Sequence, residues 1–447
     1  MLATVARATT NFEPCRIEIV EAGSGWPVSL VQLRTMHQMQ FFSDNAGVIA
    51  FDAPELMGRE VWFEVIGAGY EVPKDGFGYR GVRLKPEPGK KLRVEVKRTI
   101  IAKRIGRITG SGLFAESQKT GRDLDWAESG ILGSDSVQNT IYRGKMFWLW
   151  GDTTLAYYPL GVFDCSSATS AIQPLEQFEP PLKLKLDYFT DDKGTPRGVA
   201  KMPGDGPTWI TAYVTLPDKS GAPHFVATYS KINPPLDAYE FGLCEWNDTK
   251  NSFDQVRILW EKKKNSKRPL LPEGQPAFWK DDAGREWVMF GDPFPKIRFP
   301  AAYEAWLDAK TWEALTPQAK LASPDGKTVK PHSGHVAWNS FRQRWVTVFM
   351  EAWGKPSAFG ELWYAEAPAP TGPWGKAVKI LSHANYTFYN PRLHSEFTPT
   401  NSPVLLFEGT YTQTFADRPH PTPRYEYNQI LYRLDLDDVS LRPAQHP

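Results

Sequence analysis

The sequence predicts an all-β chain in which a β-sandwich precedes a β-propeller of five blades. Three observations lead there. Helical periodicity is nearly absent. Short β-branched and aromatic runs alternate with Gly, Pro, Asn and Asp. From Ile131 onward, one grammar of strand, polar turn and aromatic strand recurs five times.

A chain of 447 residues exceeds one ordinary core, so two domains are expected. Lys and Arg total 52 against 51 Asp and Glu, and no block of five like charges occurs. Nucleic-acid binding needs clustered positive charge, so that class is excluded. No apolar run approaches the ~20 residues that span a bilayer, and no membrane insertion is expected. Cys15, Cys165 and Cys244 are too few and too odd for a disulfide framework and read as buried thiols. The start, Met1 to Arg7, carries no charged segment followed by an apolar one, so no signal peptide is read there.

Residues 1–14 read as a flexible N-terminus and 15–106 as the sandwich. Its strands are expected at Arg16–Val20, Val28–Leu33, Gly47–Phe51, Val61–Val65 and Leu92–Val96, alternating short runs of sandwich length. The stretch from Asp44 to Phe51, with Pro54, Leu56-Met57-Gly58 and Gly69-Tyr70, resembles carboxypeptidase-regulatory-like (transthyretin-like) domains. That resemblance implies an accessory role. Residues 107–130 are expected to connect this unit to the propeller at 131–447. The one clear helix is expected at Ala301–Leu307, fading toward Lys310.

The five repeats begin at Asp135, Trp209, Gln275, His335 and Phe388, which by subtraction lie 74, 66, 60 and 53 residues apart. Propeller blades have periods of roughly 40–50 residues, lengthened by insertions. The second strands are aromatic and end in a small or acidic residue, as in Phe147-Trp-Leu-Trp-Gly-Asp152 and Glu286-Trp-Val-Met-Phe-Gly-Asp292. Asn428–Leu436 is expected to complete the last sheet.

In a propeller, the entry ends of the inner strands carry the chemistry. That geometry ranks Asp135, opening the first inner strand within Gly133-Ser134-Asp135-Ser136, above Asp152, Asp292, Glu361 and Glu408. The 17 Trp and 17 Tyr suit either packing between sheets or stacking on sugar faces. Trp148–Thr153 and the phrase Glu361-Leu-Trp-Tyr-Ala-Glu through Thr371-Gly-Pro-Trp374 resemble five-bladed glycoside hydrolases of the arabinanase, xylosidase and invertase groups.

The resemblance implies hydrolysis of an oligo- or polysaccharide by a carboxylate pair, whose spacing of ~5 Å or ~6.5–9.5 Å selects retention or inversion. Asp135 matches the base or nucleophile, with Glu240, Glu361 or Glu408 as its partner. The second and third inner strands depart from the pattern, reading Trp209-Ile-Thr211 and Gly274-Gln275-Pro276 where acids are expected. Contacts to the sugar are expected from Asp152, Trp209, Tyr239, His335, Asn390, His394, Tyr411, Tyr425 and Asn428. Tyr425, Tyr427 and Ile430 could instead serve packing at the closure of the ring.

No cofactor or zinc is expected, since three or four converging ligands are missing from the local spacing. A structural Ca²⁺ or other hydrated cation in the channel, touching His335, is the exception that the resemblance implies. It also implies a periplasmic or secreted bacterial protein with its signal removed, the cytoplasm being the alternative. Two other functions stay open. One is a lyase or other sugar-modifying enzyme using His394 or Tyr411 as base, and the other is a non-catalytic glycan-binding propeller.

Overall fold

The computed structural model describes residues 13–110, 112–126, 129–416 and 420–446. Most of the segment expected to be a flexible N-terminus, residues 1–12, lies outside them. The chain forms two compact units, Met1–Thr99 with Phe114–Trp126, and Ile100–Leu113 with Ala127–Pro447. Among the described residues, no helix is long and apolar enough to cross a membrane.

Among the described residues, the first unit holds two four-stranded sheets. In one, Cys15–Glu21 pairs antiparallel with Val48–Phe51 and parallel with Lys91–Arg98, which also pairs with Tyr70–Glu71. The other runs Gln40–Phe42, Gln32–Thr35, Val61–Ile66 and Gly81–Leu84. Val61–Ile66 buries alternate side chains, as a strand with one covered face must. The edge of Phe63 meets Phe51 across the two sheets at 5.5 Å. Residues 114–126 belong here rather than to a connector. Glu116 accepts the Ala50 amide at 3.2 Å, and Asp44 accepts the Ser117 amide at 2.7 Å.

Among the described residues, the second unit contains five four-stranded antiparallel sheets in chain order. Their first strands are Gln138–Tyr142, Thr208–Pro217, Gln275–Lys280, Pro331–Asn339 and Thr387–Leu393. Side chains and backbone link these strands around a common axis. Gln138 donates to the Ile210 carbonyl at 3.1 Å, and Gly274 to that of Thr211 at 2.7 Å. His335 bridges Pro276 and Leu393, and Arg392 donates to the Asn139 carbonyl at 3.0 Å. That last bond returns from the fifth sheet to the first, giving the ring of a propeller. The aromatic excess fills the wedges between sheets: Tyr142, Phe147, Phe225, Trp246 and Phe253 between the first and second, Val288, Phe290, Phe299 and Trp306 beside the third.

Three details differ from the sequence reading. Lys103–Arg107, expected as the end of the sandwich and the start of the connector, is the fourth strand of the fifth sheet, where it pairs with Asn428–Asp435. The closing strand is therefore third in its sheet, and Ile430 faces Arg107 across the seam. The first repeat is also interrupted. Ile131–Ser134 pairs with Thr153–Leu155 in a separate three-stranded sheet, because the chain turns at Ser136 with φ of 53°. The expected helix forms over Tyr303–Leu307, followed by a 3₁₀ turn at Ala309–Thr311.

Candidate active site

Each first strand starts at the end of the ring where its second strand finishes, as in Gln275 opposite Gly291 and Pro331 opposite Glu351. Residues at or just beyond these ends therefore share one mouth. Asp135 and Asp152 flank the first two strands of the first sheet, Trp209 opens the second sheet, Asp292 follows the second strand of the third, and Tyr389 and Asn390 lie in the first strand of the fifth.

Asp135 is the best-formed centre of this mouth. Its Oδ2 accepts hydroxyls from both Tyr389 and Tyr427, each at 2.6 Å. Its backbone is fixed on both sides, the amide donating to the Asp152 carbonyl at 3.2 Å and the carbonyl accepting from Gly151 at 2.8 Å. A Cβ on Gly151 would overlap Asp135 Oδ1, so only glycine leaves the carboxylate this place. Burial pushes the Asp135 carboxyl above its usual range, while the two tyrosine hydroxyls pull against that rise.

Asp152 stands beside it. Desolvation first, and the neighbouring Asp135 charge second, push its carboxyl up to about 7, against a hydrogen bond from the Trp209 side chain. The Asp135 charge thus adds to burial in favouring the protonated form of Asp152. Asp292 bridges the third and fourth sheets. It lies against Gly274 and accepts the Gly334 amide at 2.7 Å. The residue as a whole is exposed, yet protein atoms crowd its carboxyl, and desolvation pushes it up to about 6.

The backbone of this mouth is strained. Ser136, Asn390 and Tyr427 have φ values of 53°, 51° and 56°, which side chains with a Cβ adopt at a cost. The strained residues support one another. Asn390 donates to Ser136 Oγ at 2.7 Å, Ser333 donates to Asn390 at 3.1 Å, and the Ser136 amide donates to Thr410 at 3.0 Å. Strain held by such a network is typical of sites that must be preorganised.

Of the residues singled out in the sequence, Asp135, Asp152, Trp209 and Asn390 meet at the mouth. The three expected acid partners do not join them. Glu361 is fully buried among the outer strands of the fourth sheet, holding Lys379 at 2.6 Å and Ser382 at 2.7 Å. Glu408 is buried mid-strand, where it accepts His394 Nε2 at 2.7 Å. Glu240 sits on a third strand and accepts Tyr229 at 2.7 Å and Gln255 at 3.4 Å.

The expected sugar contacts are also largely committed elsewhere. His394 Nδ1 faces the Asn139 amide at 2.9 Å. Tyr411 is buried and stacked on Tyr386 at 4.1 Å, and Tyr425 is buried under the Arg107 guanidinium. Asn428 is buried between Thr109 and the Leu132 carbonyl, both at 2.8 Å. Tyr239 donates to the Asp205 carbonyl at 2.8 Å.

His335 is no open ligand either. The Leu393 amide donates to its Nδ1 at 3.2 Å, which leaves Nε2–H to donate to the Pro276 carbonyl at 3.0 Å. Burial and the nearby Arg392 charge hold its pKa down at about 3. Both ring nitrogens are used, so it offers no lone pair to a cation. Among the described residues, no three His, Cys, Asp or Glu side chains converge as a metal-binding group. The sequence reading missed the pairing of Tyr389 and Tyr427 on Asp135, and the requirement for Gly151. The Gly-Asp pair at 151–152 was the one local signal.

No protein-family model matches the chain, and no curated protein does. Among solved structures it is similar to an exo-1,5-α-L-arabinanase from a bovine ruminal metagenomic library, at 12% identity and a TM-score of 0.39, covering 68% of this chain and 94% of that one. An exo-β-1,3-galactanase from Phanerochaete chrysosporium gives 10% identity and 0.39, covering 68% and 61% respectively. A β-xylosidase/α-arabinofuranosidase from a compost microbial metagenome gives 10% and 0.37, covering 68% and 92%. Likeness at this level bears on neither activity nor substrate.

Proposed function

We propose that this chain is a glycoside hydrolase acting on an oligo- or polysaccharide, its five four-stranded sheets forming a five-bladed propeller with Asp135 at the reacting centre. The first unit, on this reading, is an accessory transthyretin-like sandwich. The observation that carries the proposal is the setting of Asp135: a preorganised carboxylate under two tyrosine hydroxyls, beside one carboxyl raised to about 7 and on the same mouth as another raised to about 6.

Cleaving a glycosidic bond needs an ionised carboxylate and a protonated one on either side of the anomeric carbon. The tyrosines favour the ionised form of Asp135, which suits it to attack carbon or activate water. Asp292, held up by desolvation and open to solvent, is suited to protonate the leaving oxygen. Asp152 stands beside Asp135, whose charge favours its protonated form. Trp209 and the tyrosine rings supply flat surfaces for the sugar.

The test is turnover of aryl glycosides and plant or bacterial glycans by the wild type and by Asp135→Asn, Asp292→Asn and Asp152→Asn. Asp135→Asn should lose turnover on every substrate. Asp292→Asn should lose natural glycans yet retain a dinitrophenyl glycoside, whose leaving group needs no proton. Full activity in Asp135→Asn sinks the proposal. Rescue of Asp152→Asn instead of Asp292→Asn would exchange their roles.

A further inference from the structure

Two large aromatic side chains on the same mouth face solvent. Trp353 and Phe415 are 72% and 66% exposed. Their φ values of 59° and 64° put both in the left-handed region, where a bulky residue is a genuine outlier. Neither burial nor backbone preference explains them.

Their loops are braced. Gly354 donates to the Ala358 carbonyl at 3.0 Å, the Asn385 amide to Ser357 Oγ at 2.6 Å, and the Gln413 amide to Glu426 at 3.0 Å. Tyr386 also donates to Glu426. Phe359 stands between the two rings, 4.9 Å from Trp353 and 6.1 Å from Phe415. Trp353 and Phe415, with Lys355, Pro356, Ala358 and Asn385, line an open recess of about 580 Å³.

We propose that this recess binds one glycosyl ring of the glycan, beyond the unit held at Asp135, by stacking on Trp353 and Phe415. The proposal rests on the carbohydrate reading above. A sugar ring presents an apolar C–H face and a polar edge. The aromatic walls fit the first, and the Lys355 ammonium and Asn385 amide supply donors for the second. Position on the same end of the ring as the acid site favours this occupant. Trp353 and Phe415 follow second strands, as Asp152 and Asp292 do, and so lie on the same mouth. The connection that carries Phe415 leads on to Tyr427, which holds Asp135.

Affinity gel electrophoresis tests this, with Asp135→Asn as a non-turning background and debranched arabinan, xylan, β-1,3-galactan and levan in the gels. At least one glycan should retard the background protein. Adding Trp353→Ala or Phe415→Ala should weaken that retardation about five-fold, with Trp353→Phe in between. Retardation indifferent to both alanines, or absent from every gel, overturns the inference. Should Asp135→Asn abolish turnover while retardation ignores Trp353, only the recess fails. Trp353-dependent retardation without any wild-type turnover would sink the hydrolase reading and leave a glycan-binding recess.

Discussion

Gly151 and Asp135 fit as a lock of backbone against carboxylate: the space where a Cβ would stand on Gly151 is filled by Asp135 Oδ1. Gly151 has no positive φ, so conformational freedom is not the reason for glycine there. Room for the acid is.

Gly151→Ala should therefore fold normally and lose activity. The methyl must push the carboxylate away from Tyr389 and Tyr427, and a misplacement of about 1 Å costs on the order of 10²-fold in rate. Circular dichroism with kcat on the best aryl glycoside checks both halves. Retained activity would show that the carboxylate has another resting place.

Tyr389→Phe and Tyr427→Phe each remove one O–H donor from the ionised form of Asp135. A hydrogen bond to a charged group is worth about 1.5–3 kcal/mol, so the pKa of Asp135 should rise by roughly one to two units. The acid limb of the kcat/KM–pH profile should move to higher pH by that amount, because the reacting form is the carboxylate. An unmoved limb would mean that another group sets it.

Asp152 makes a prediction about stability. Its folded pKa of about 7 lies above the unfolded value near 3.8, so the folded chain binds the proton more tightly. Stability is then lost progressively as pH rises through that window. Asp152→Asn removes the loss, so its Tm should exceed that of the wild type by roughly 1–3 °C at pH 8 and match it at pH 4. Thermal melts at both values decide the matter. An equal gain at pH 4 would point to packing instead of charge.

His335→Phe should destabilise the ring by about 2–4 kcal/mol, since it leaves the Pro276 carbonyl and the Leu393 amide unpaired inside the protein. With a pKa held at about 3, the imidazole stays neutral through the physiological range. The shape of the activity–pH profile should therefore be unchanged in any fraction that folds. Urea unfolding gives the first quantity and initial rates the second.

The periodic part of this architecture was legible because strands announce themselves locally. Alternation in Val61–Ile66 and the aromatic runs of the second strands are set by which face is covered. Asp135 was legible too, from its small polar neighbours at a strand start. Its partners were not. Tyr389 and Tyr427 lie 254 and 292 residues away, and nothing in their neighbourhoods names the acid that they serve. Glu361 and Glu408 illustrate the converse. They occupy strand positions that local rules rank highly, yet Lys379 and His394 meet them only in three dimensions. Lys103–Arg107 escaped for a related reason. A five-residue strand carries no mark of which sheet it will edge.

That strand has a consequence for how the ring can come apart. The seam joins residues more than three hundred positions apart, through Ile430 opposite Arg107 and Tyr432 opposite Arg104. Unzipping cannot begin at the C-terminal sheet alone, because its outer rail belongs to the other end of the second unit. Remove that rail, as a chain beginning at Ile131 would, and Asn428–Asp435 becomes a bare eight-residue edge whose amides and carbonyls seek a stranger's strand. The missing piece, added back as a free peptide, should then compete with self-association, much as a donated strand caps an open sheet.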